Sequence, residues 1–471
     1  MRIGDVSTAI PATPGSPAQR KKEPMTSTLP LRAEVDVLVV GGGPAGIGAA
    51  LAAARAGASV LIIEQFNCLG GVAGAGGHGH ISTYCAAGDR LRVVGGVIYE
   101  VARRLVEEHA GWMNHHGVWF EVEKLKFLLD RMMREAGVGI LYYTFFCAAV
   151  VEDGAVVGAI IQNKDGRGVI RARRVIDGTG DGDVAASAGA PFEQGRPRDG
   201  KCQPMTLMFT IGGVDWPRVE AWRKDYHMRE VWERAQRNGD MEPFQTTIMG
   251  FWWTPTRPDQ VGINFTHITD VDGTRAADLT AATLEGRRQA FHAIDVFRQY
   301  VPGMEDCYLV STPNTVGVRE SRRIIGPVVL TEEDMKARRP WEDSIGYGAF
   351  LIDIHHIDGP GMDETVWYPE PGFRYQIPYR ILLPQGVEQL LVAGRCVSVT
   401  HLALGSIRVM AQCALTGEAA GAAAARSLRE NVTPRAVDVA ALQAELRAHG
   451  GILTEDDVAR VNAGRAWFFA A

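Results

Sequence analysis

Residues 35–64 read VDVLVVGGGPAGIGAALAAARAGASVLIIE, and this stretch decides the fold. Val35-Asp36-Val37-Leu38-Val39-Val40 is a nearly unbroken β-branched run, the pattern of a parallel strand covered on both faces. The loop Gly41-Gly42-Gly43-Pro44-Ala45-Gly46 follows, then small residues to about Arg55 that read as a helix, with Gly57 as its stop signal. Val60-Leu61-Ile62-Ile63 is the second strand and ends on Glu64. One βαβ unit is complete in about 30 residues.

A GxGxxG pattern alone says little in a chain with 54 glycines among 471 residues. Here strand, loop, helix and second strand all agree, and Glu64 stands 21 residues beyond Gly43. Gly41 permits the tight turn, Gly43 lets the backbone approach a pyrophosphate, and Gly46 lets helix and strand pack closely. The helix N-terminus presents unpaired N–H groups and a partial positive charge to phosphates. Glu64 is placed to accept hydrogen bonds from ribose hydroxyls.

Two further elements decide between dinucleotides. Asp177-Gly178-Thr179-Gly180-Asp181-Gly182-Asp183 ends the strand Arg174-Val175-Ile176, and Leu391-Val392-Ala393-Gly394-Arg395 ends another near the C-terminus. An extended FAD needs contacts at adenosine, pyrophosphate, ribityl chain and ring, whereas NAD domains do not usually recruit a distant C-terminal strand. A helix read as opening at Gly405-Ser406-Ile407 would aim its N–H groups at the flavin C2 carbonyl.

These segments resemble the FAD-dependent oxidoreductase family, distantly related to fumarate reductase flavoproteins and to the flavin-binding part of heterodisulfide reductase. The resemblance rests on residues 36–64, on CLGG at 68–71, VIDGTGDGDVAASAG, GVRESRRIIGPVVLTEEDM, YQIPYRILLP and LLVAGRCVSVTHLALGSIRVM. It runs from about 35 to about 450. It implies noncovalent FAD held by Gly41, Gly43, Pro44, Ala45, Gly46, Glu64, Gly70, Gly71, Asp181, Gly394, Ser406 and Ile407. One departure is Gly76-Gly77-His78-Gly79-His80-Ile81, in the loop that runs beside the flavin in fumarate reductase relatives. Gly70 stands about where a flavin-linked histidine would sit, so covalent attachment is not expected. The iron–sulfur part of the heterodisulfide reductase comparison is lost, because no cysteines cluster.

The fold class expected is α/β: a discontinuous Rossmann-type FAD-binding domain, residues 33–199 and 386–450, with an inserted α+β substrate or capping domain at 200–385. Helices are expected near 97–109, 121–136 and 276–300, and strands near 140–151, 155–162 and 169–176. The insert holds seven of the ten tryptophans and Pro-punctuated short strands. Residues 1–32 read as a disordered tail rich in Pro, Ser and Thr, and 451–471 as a C-terminal tail segment.

Composition narrows the function. A formal charge of −6 gives no electrostatic footprint for nucleic acid. Seven cysteines without any CxxC point to free thiols in a reducing cytoplasm and to no metal site. No apolar stretch is long enough to span a membrane, and none follows Arg20-Lys21-Lys22 as in a secretory signal.

Oxidation of a C–H or C–N bond needs a hydride acceptor, a group that takes the proton, and a group that orients the substrate. Histidine suits the second task near neutral pH. His78 and His80 are candidates through their loop; so are His355 and His356, of which at most one should reach the ring because neighbours on a strand face opposite ways. For orientation, Arg322 and Arg323 lead, with Arg319 beside them in VRESRRIIG and Glu320 as an internal partner; Arg380 and Arg408 are alternatives. Trp252, Trp253, Trp367 and Tyr368 either line a pocket or fill the core. The expectation is hydride transfer between a small polar metabolite and flavin N5. The alternative is an electron-transfer flavoprotein within a larger redox complex, and a homo-oligomer or redox partner stays open.

Overall fold

The computed structural model describes residues 29–225, 228–242 and 250–463. Most of the expected tail therefore lies outside the described residues, while Leu31 and Arg32 already belong to the first strand. Strand β1 (Leu31–Val40) leads into helix α1 (Pro44–Arg55) and strand β2 (Val60–Ile63). Strand β3 (His80–Ser82), helix α2 (Gly96–Glu107), strands β4 (Gly111–Asn114) and β5 (Gly117–Phe120) and helix α3 (Val122–Glu135) follow. Strands β6 (Gly139–Leu141), β7 (Phe145–Glu152), β8 (Ala155–Asn163) and β9 (Gly166–Asp177) complete the N-terminal half.

The main sheet runs β6-β2-β1-β9-β8-β7, and the strand Leu390–Val392 pairs with the C-terminal half of β9. The first four strands and Leu390–Val392 are parallel; β8 and β7 are antiparallel additions. The register aligns the carboxyl ends: Val40 lies opposite both Ile63 and Asp177, and Val392 also lies opposite Asp177. Loops distant in sequence thus meet at one edge, where α/β sheets bind ligands. This is a Rossmann-type arrangement in a mixed α/β chain.

The small residues of α1 have a packing reason. A Cβ at Gly48 would lie 2.2 Å from the Ala414 carbonyl oxygen, and one at Gly417 only 1.9 Å from that of Ala45. The helix Met410–Arg429 therefore lies backbone to backbone against α1. Ala45 meets Gly417 and Ala49 meets Gly421, so the two helices run parallel. The seven residues 410–416 then reach about 10 Å past the start of α1.

One expected boundary is corrected. The C-terminal flavin-facing segment does not open a helix at Gly405-Ser406: a short helix spans His401–Ile407, capped by Thr400, whose hydroxyl accepts from the Ala403 N–H. Ser406 and Ile407 sit in its last turn, where N–H groups bond within the helix. The free first turn belongs to Met410–Arg429 instead.

A second layer covers this edge. Strands Gly250–Thr254, Arg257–Asn264, Phe209–Gly212 and Tyr308–Ser311 form an antiparallel sheet. The helix Ala276–Tyr300 packs Ala290, Ala293, Ile294 and Phe297 against Phe209, Ile211, Val261 and Ile263 of that sheet.

Candidate functional site

The dinucleotide loop has the shape its glycines require. Gly41 has φ +97°, and a side chain there would strike the Gly178 carbonyl at 2.6 Å, so the first two glycine loops touch. A Cβ on Gly46 would lie 1.9 Å from the Gly41 oxygen. Gly43 differs: a Cβ there meets only the Gly71 Cα, at 4.0 Å, and points into open space. Pro44 occupies the first turn of α1, which has neither a side-chain cap nor an acidic residue. Its N–H groups and positive dipole end are thus uncompensated, which fits a pyrophosphate.

Glu64 is nearly buried at 6% exposure. Its two oxygens accept from the N–H groups of Gly42 at 2.7 Å and Phe66 at 2.9 Å. Burial pushes its carboxyl above the usual range, against these bonds. The residue therefore also clamps the glycine loop, and its carboxylate keeps acceptor capacity for a ribose hydroxyl. Gly70 donates to the Gly42 carbonyl, and Gly71 packs on Gly43. Asp181 accepts from Ser321 at 2.7 Å and Arg395 at 2.8 Å. Gly394 lies against Ala45 and donates to the Thr416 hydroxyl. Ser406 is committed internally, bonded to the Phe350 carbonyl and the Tyr375 hydroxyl. Gln412, in the first turn of Met410–Arg429, is fully buried with both side-chain polar atoms unpartnered. An open Gly43, an uncapped helix start and an orphaned amide beyond it fit the extended dinucleotide expected from sequence.

A polar cluster lies next to this cradle. Arg408, directly after the helix His401–Ile407, donates to Asp353 at 2.9 Å and to Gln203 Oε1 at 3.4 Å. His355 Nε2 lies 3.5 Å from Asp353 Oδ1, and its backbone N–H reaches Gln203 Oε1. Arg319 donates to the Pro204 carbonyl at 2.8 Å and the Thr206 hydroxyl at 2.6 Å. A Cβ on Gly405 would lie 2.9 Å from the Asp353 carbonyl, so the cluster abuts the 401–407 helix. The loop carrying His78 packs against 313–317: Asn314 donates to the Ala75 carbonyl. Trp252 of the second layer covers the His78 ring at 4.1 Å between centroids.

The electrostatics are those of a buried, positively charged cluster. Burial, aided by the Arg319 charge, holds His78 and His355 down to about 4. Burial also holds His80 and His267 down to about 3. Burial would raise Asp353, but the His355 imidazole beside it and the Arg408 and Arg319 charges outweigh burial and hold the carboxyl well below the usual carboxylate range. Four buried atoms here have no partner among the described residues: His78 Nδ1, His355 Nδ1, Gln203 Nε2 and Arg408 Nε. Unpaired buried polar atoms are costly, and their gathering in one place marks a site for a ligand.

Of the sequence-named histidines, His78 and His355 both lie within reach of the Arg319 charge. His80 lies one step away on β3, its ring 4.4 Å from Trp119. His356 faces the other way, its Nδ1 accepting from the Asp358 N–H. Arg322 and Arg323 are not in the cluster. Arg322 is tied to Asp183 at 2.8 Å, and Arg323 is 1% exposed, donating to Glu320, the Gly195 carbonyl and the Val399 carbonyl. Arg319 and Arg408 occupy the place expected for them. Arg380 pairs with Asp343, and His401 with Glu320. Sequence reasoning missed Asp353 and Gln203. Asp353 had a signal, since an extended chain puts it on the same side as His355, two residues on; Gln203 had none.

A family model described as FAD dependent oxidoreductase matches residues 36–446. Digeranylgeranylglycerophospholipid reductase 1 of Methanopyrus kandleri is 32% identical over 165 residues, which are 31% of this chain and 40% of that protein. Thiamine thiazole synthase of Aeropyrum pernix is 31% identical over 191 residues, 38% of this chain and 66% of that protein. The chain spans less than two thirds of either relative. A solved geranylgeranyl bacteriochlorophyll reductase-like protein from Thermoplasma acidophilum aligns over 88% of this chain and 83% of its own, at 14% identity and a TM-score of 0.45. No helix among the described residues is long and apolar enough to cross a membrane.

Proposed function

This chain belongs to the FAD dependent oxidoreductase family, and from that premise we propose that it exchanges a hydride with a small polar molecule seated among Arg319, Asp353, His355 and Arg408. The observation that carries this reading is the set of four unpartnered polar atoms in that buried cluster. FAD, bound noncovalently across Gly43, Glu64, Asp181 and the start of helix Met410–Arg429, supplies the two-electron chemistry. The other tasks fall to side chains. Arg319 and Arg408 orient the substrate through their guanidinium forks. Asp353 faces His355 Nε2, which favours the tautomer that leaves Nδ1 free to accept a proton. His78, neutral and with an open Nδ1, is the second group able to take it. Trp252 over His78 excludes water from that side.

The test is an anaerobic screen. Purified protein should release free FAD on heating, and some polar metabolite should bleach the bound flavin without oxygen. Flavin that stays in the precipitate contradicts noncovalent binding. Failure of every metabolite in a broad panel, with FAD bound, contradicts the enzymatic reading.

A further inference from the structure

Among the described residues, two guanidiniums, Arg319 and Arg408, share the candidate substrate cluster with one carboxylate, Asp353. The nearby imidazoles of His78, His267 and His355 are neutral at pH 7, because burial holds them down to about 4 or below. Glu320 accepts from the Gln203 N–H at 3.1 Å, but its charge is matched by Arg323 at 2.6 Å, with His401 at 2.8 Å. The pocket therefore carries one uncompensated positive charge in a low-dielectric setting.

Beside the two open Nδ1 acceptors of His78 and His355, it holds donors without partners. Arg408 Nε and Gln203 Nε2 are buried without partners, Gln203 being only 1% exposed. Arg319 Nη2 reaches only Asn264, at the long distance of 3.5 Å. No described residue accepts from the Arg408 Nε or Gln203 Nε2 N–H groups. Burial and the Arg408 charge together push Arg319 down to about 9, a strain that a bound anion would relieve.

We propose, resting on the substrate site argued above, that this pocket takes a carboxylate group of the substrate, held by Arg319, Arg408 and Gln203 Nε2. A monoanion brings the pocket to neutrality with Asp353 ionised, whereas a phosphate dianion overshoots it. The planar carboxylate also matches the guanidinium fork. Asp353 keeps Arg408 in place so that its remaining N–H groups face the anion.

The experiment titrates the FAD-loaded protein with acetate, succinate and benzoate, and with their neutral amides, at constant ionic strength. Flavin difference absorbance and melting temperature are read at each point. Saturable effects from at least one carboxylate and none from its amide are expected. Arg408→Gln and Gln203→Glu should each weaken that binding by about 10–100-fold while FAD content stays constant. Gln203→Glu keeps the side-chain size and serves if Arg408→Gln fails to fold. Amides that act as well as acids, inorganic phosphate that binds tighter than any acid, or carboxylate binding untouched by both substitutions each overturn the proposal. A neutral metabolite that bleaches the flavin while every acid fails overturns the carboxylate assignment alone and leaves the substrate site standing. Silence from acids and metabolites alike overturns both.

Discussion

Asp353→Asn changes one atom and removes the one negative charge among the described residues that faces Arg408 and Arg319. The carboxylate lies 2.9 Å from the Arg408 guanidinium and 3.5 Å from His355. Removing one partner of a buried pair costs about 3–5 kcal/mol, because a charge is left behind uncompensated. Asparagine retains one oxygen for Arg408, so roughly 2–4 kcal/mol is expected in the FAD-loaded, ligand-free protein. About 430 described residues, at about 2.1 cal/mol/K each, give a melting entropy near 0.9 kcal/mol/K. The melting temperature should therefore fall by about 2–4 °C in scanning calorimetry with FAD in excess. Saturating acetate should recover part of the loss, since it supplies the missing negative charge. A variant that melts with the wild type would show that Arg408 and Arg319 need no counter-charge, and the positive pocket would be refuted.

Gly43→Val should fold yet purify without flavin, because its side chain enters open space above the loop; full FAD occupancy by absorbance would place the nucleotide elsewhere. Gly46→Val should instead fail to fold at all, since its Cβ falls on the Gly41 carbonyl. Glu418, raised to about 7 by burial with only the Val97 N–H bonded to it, contributes stability that is present at low pH and lost as pH rises through about 7. Glu418→Gln should thus stabilise by roughly 1–3 kcal/mol at pH 8 and little at pH 5, measured by urea unfolding. The buried neutral histidines act in the opposite sense. With folded values near 3–4 against about 6.5 unfolded, His78, His80, His267 and His355 withdraw stability as pH falls below about 6.5. The urea midpoint should drop between pH 7 and pH 5, and a midpoint that rises would show these rings protonated in the fold.

The βαβ unit was legible, apart from a first strand that starts at Leu31 rather than Val35, because each of its parts has a local cause: β-branched strands, a turn only glycine allows, and a helix of small residues. The meeting of the three strand ends was also legible, from Asp177 and Gly394 closing similar runs. The start of the C-terminal helix was misread because Gly405-Ser406 looks like a cap, while the actual cap, Thr400, sits among apolar neighbours. Choosing among the arginines of VRESRRIIG was beyond local pattern. Arg319 enters the cluster through Pro204 and Thr206, 115 and 113 residues away, and Arg323 is withdrawn by Gly195 and Val399. Gln203 carries no motif, and only its position beside Arg408 and the His355 N–H gives it a role.

The most direct test of the account is the rate of anaerobic flavin reduction in single turnovers, measured for the wild type and for His78→Asn and His355→Asn, singly and together. With any metabolite that bleaches the flavin, the account predicts that at least one substitution slows reduction by about 10²–10⁴-fold while FAD stays bound. A double variant that reduces its flavin at the wild-type rate would contradict it and move the chemistry away from this cluster.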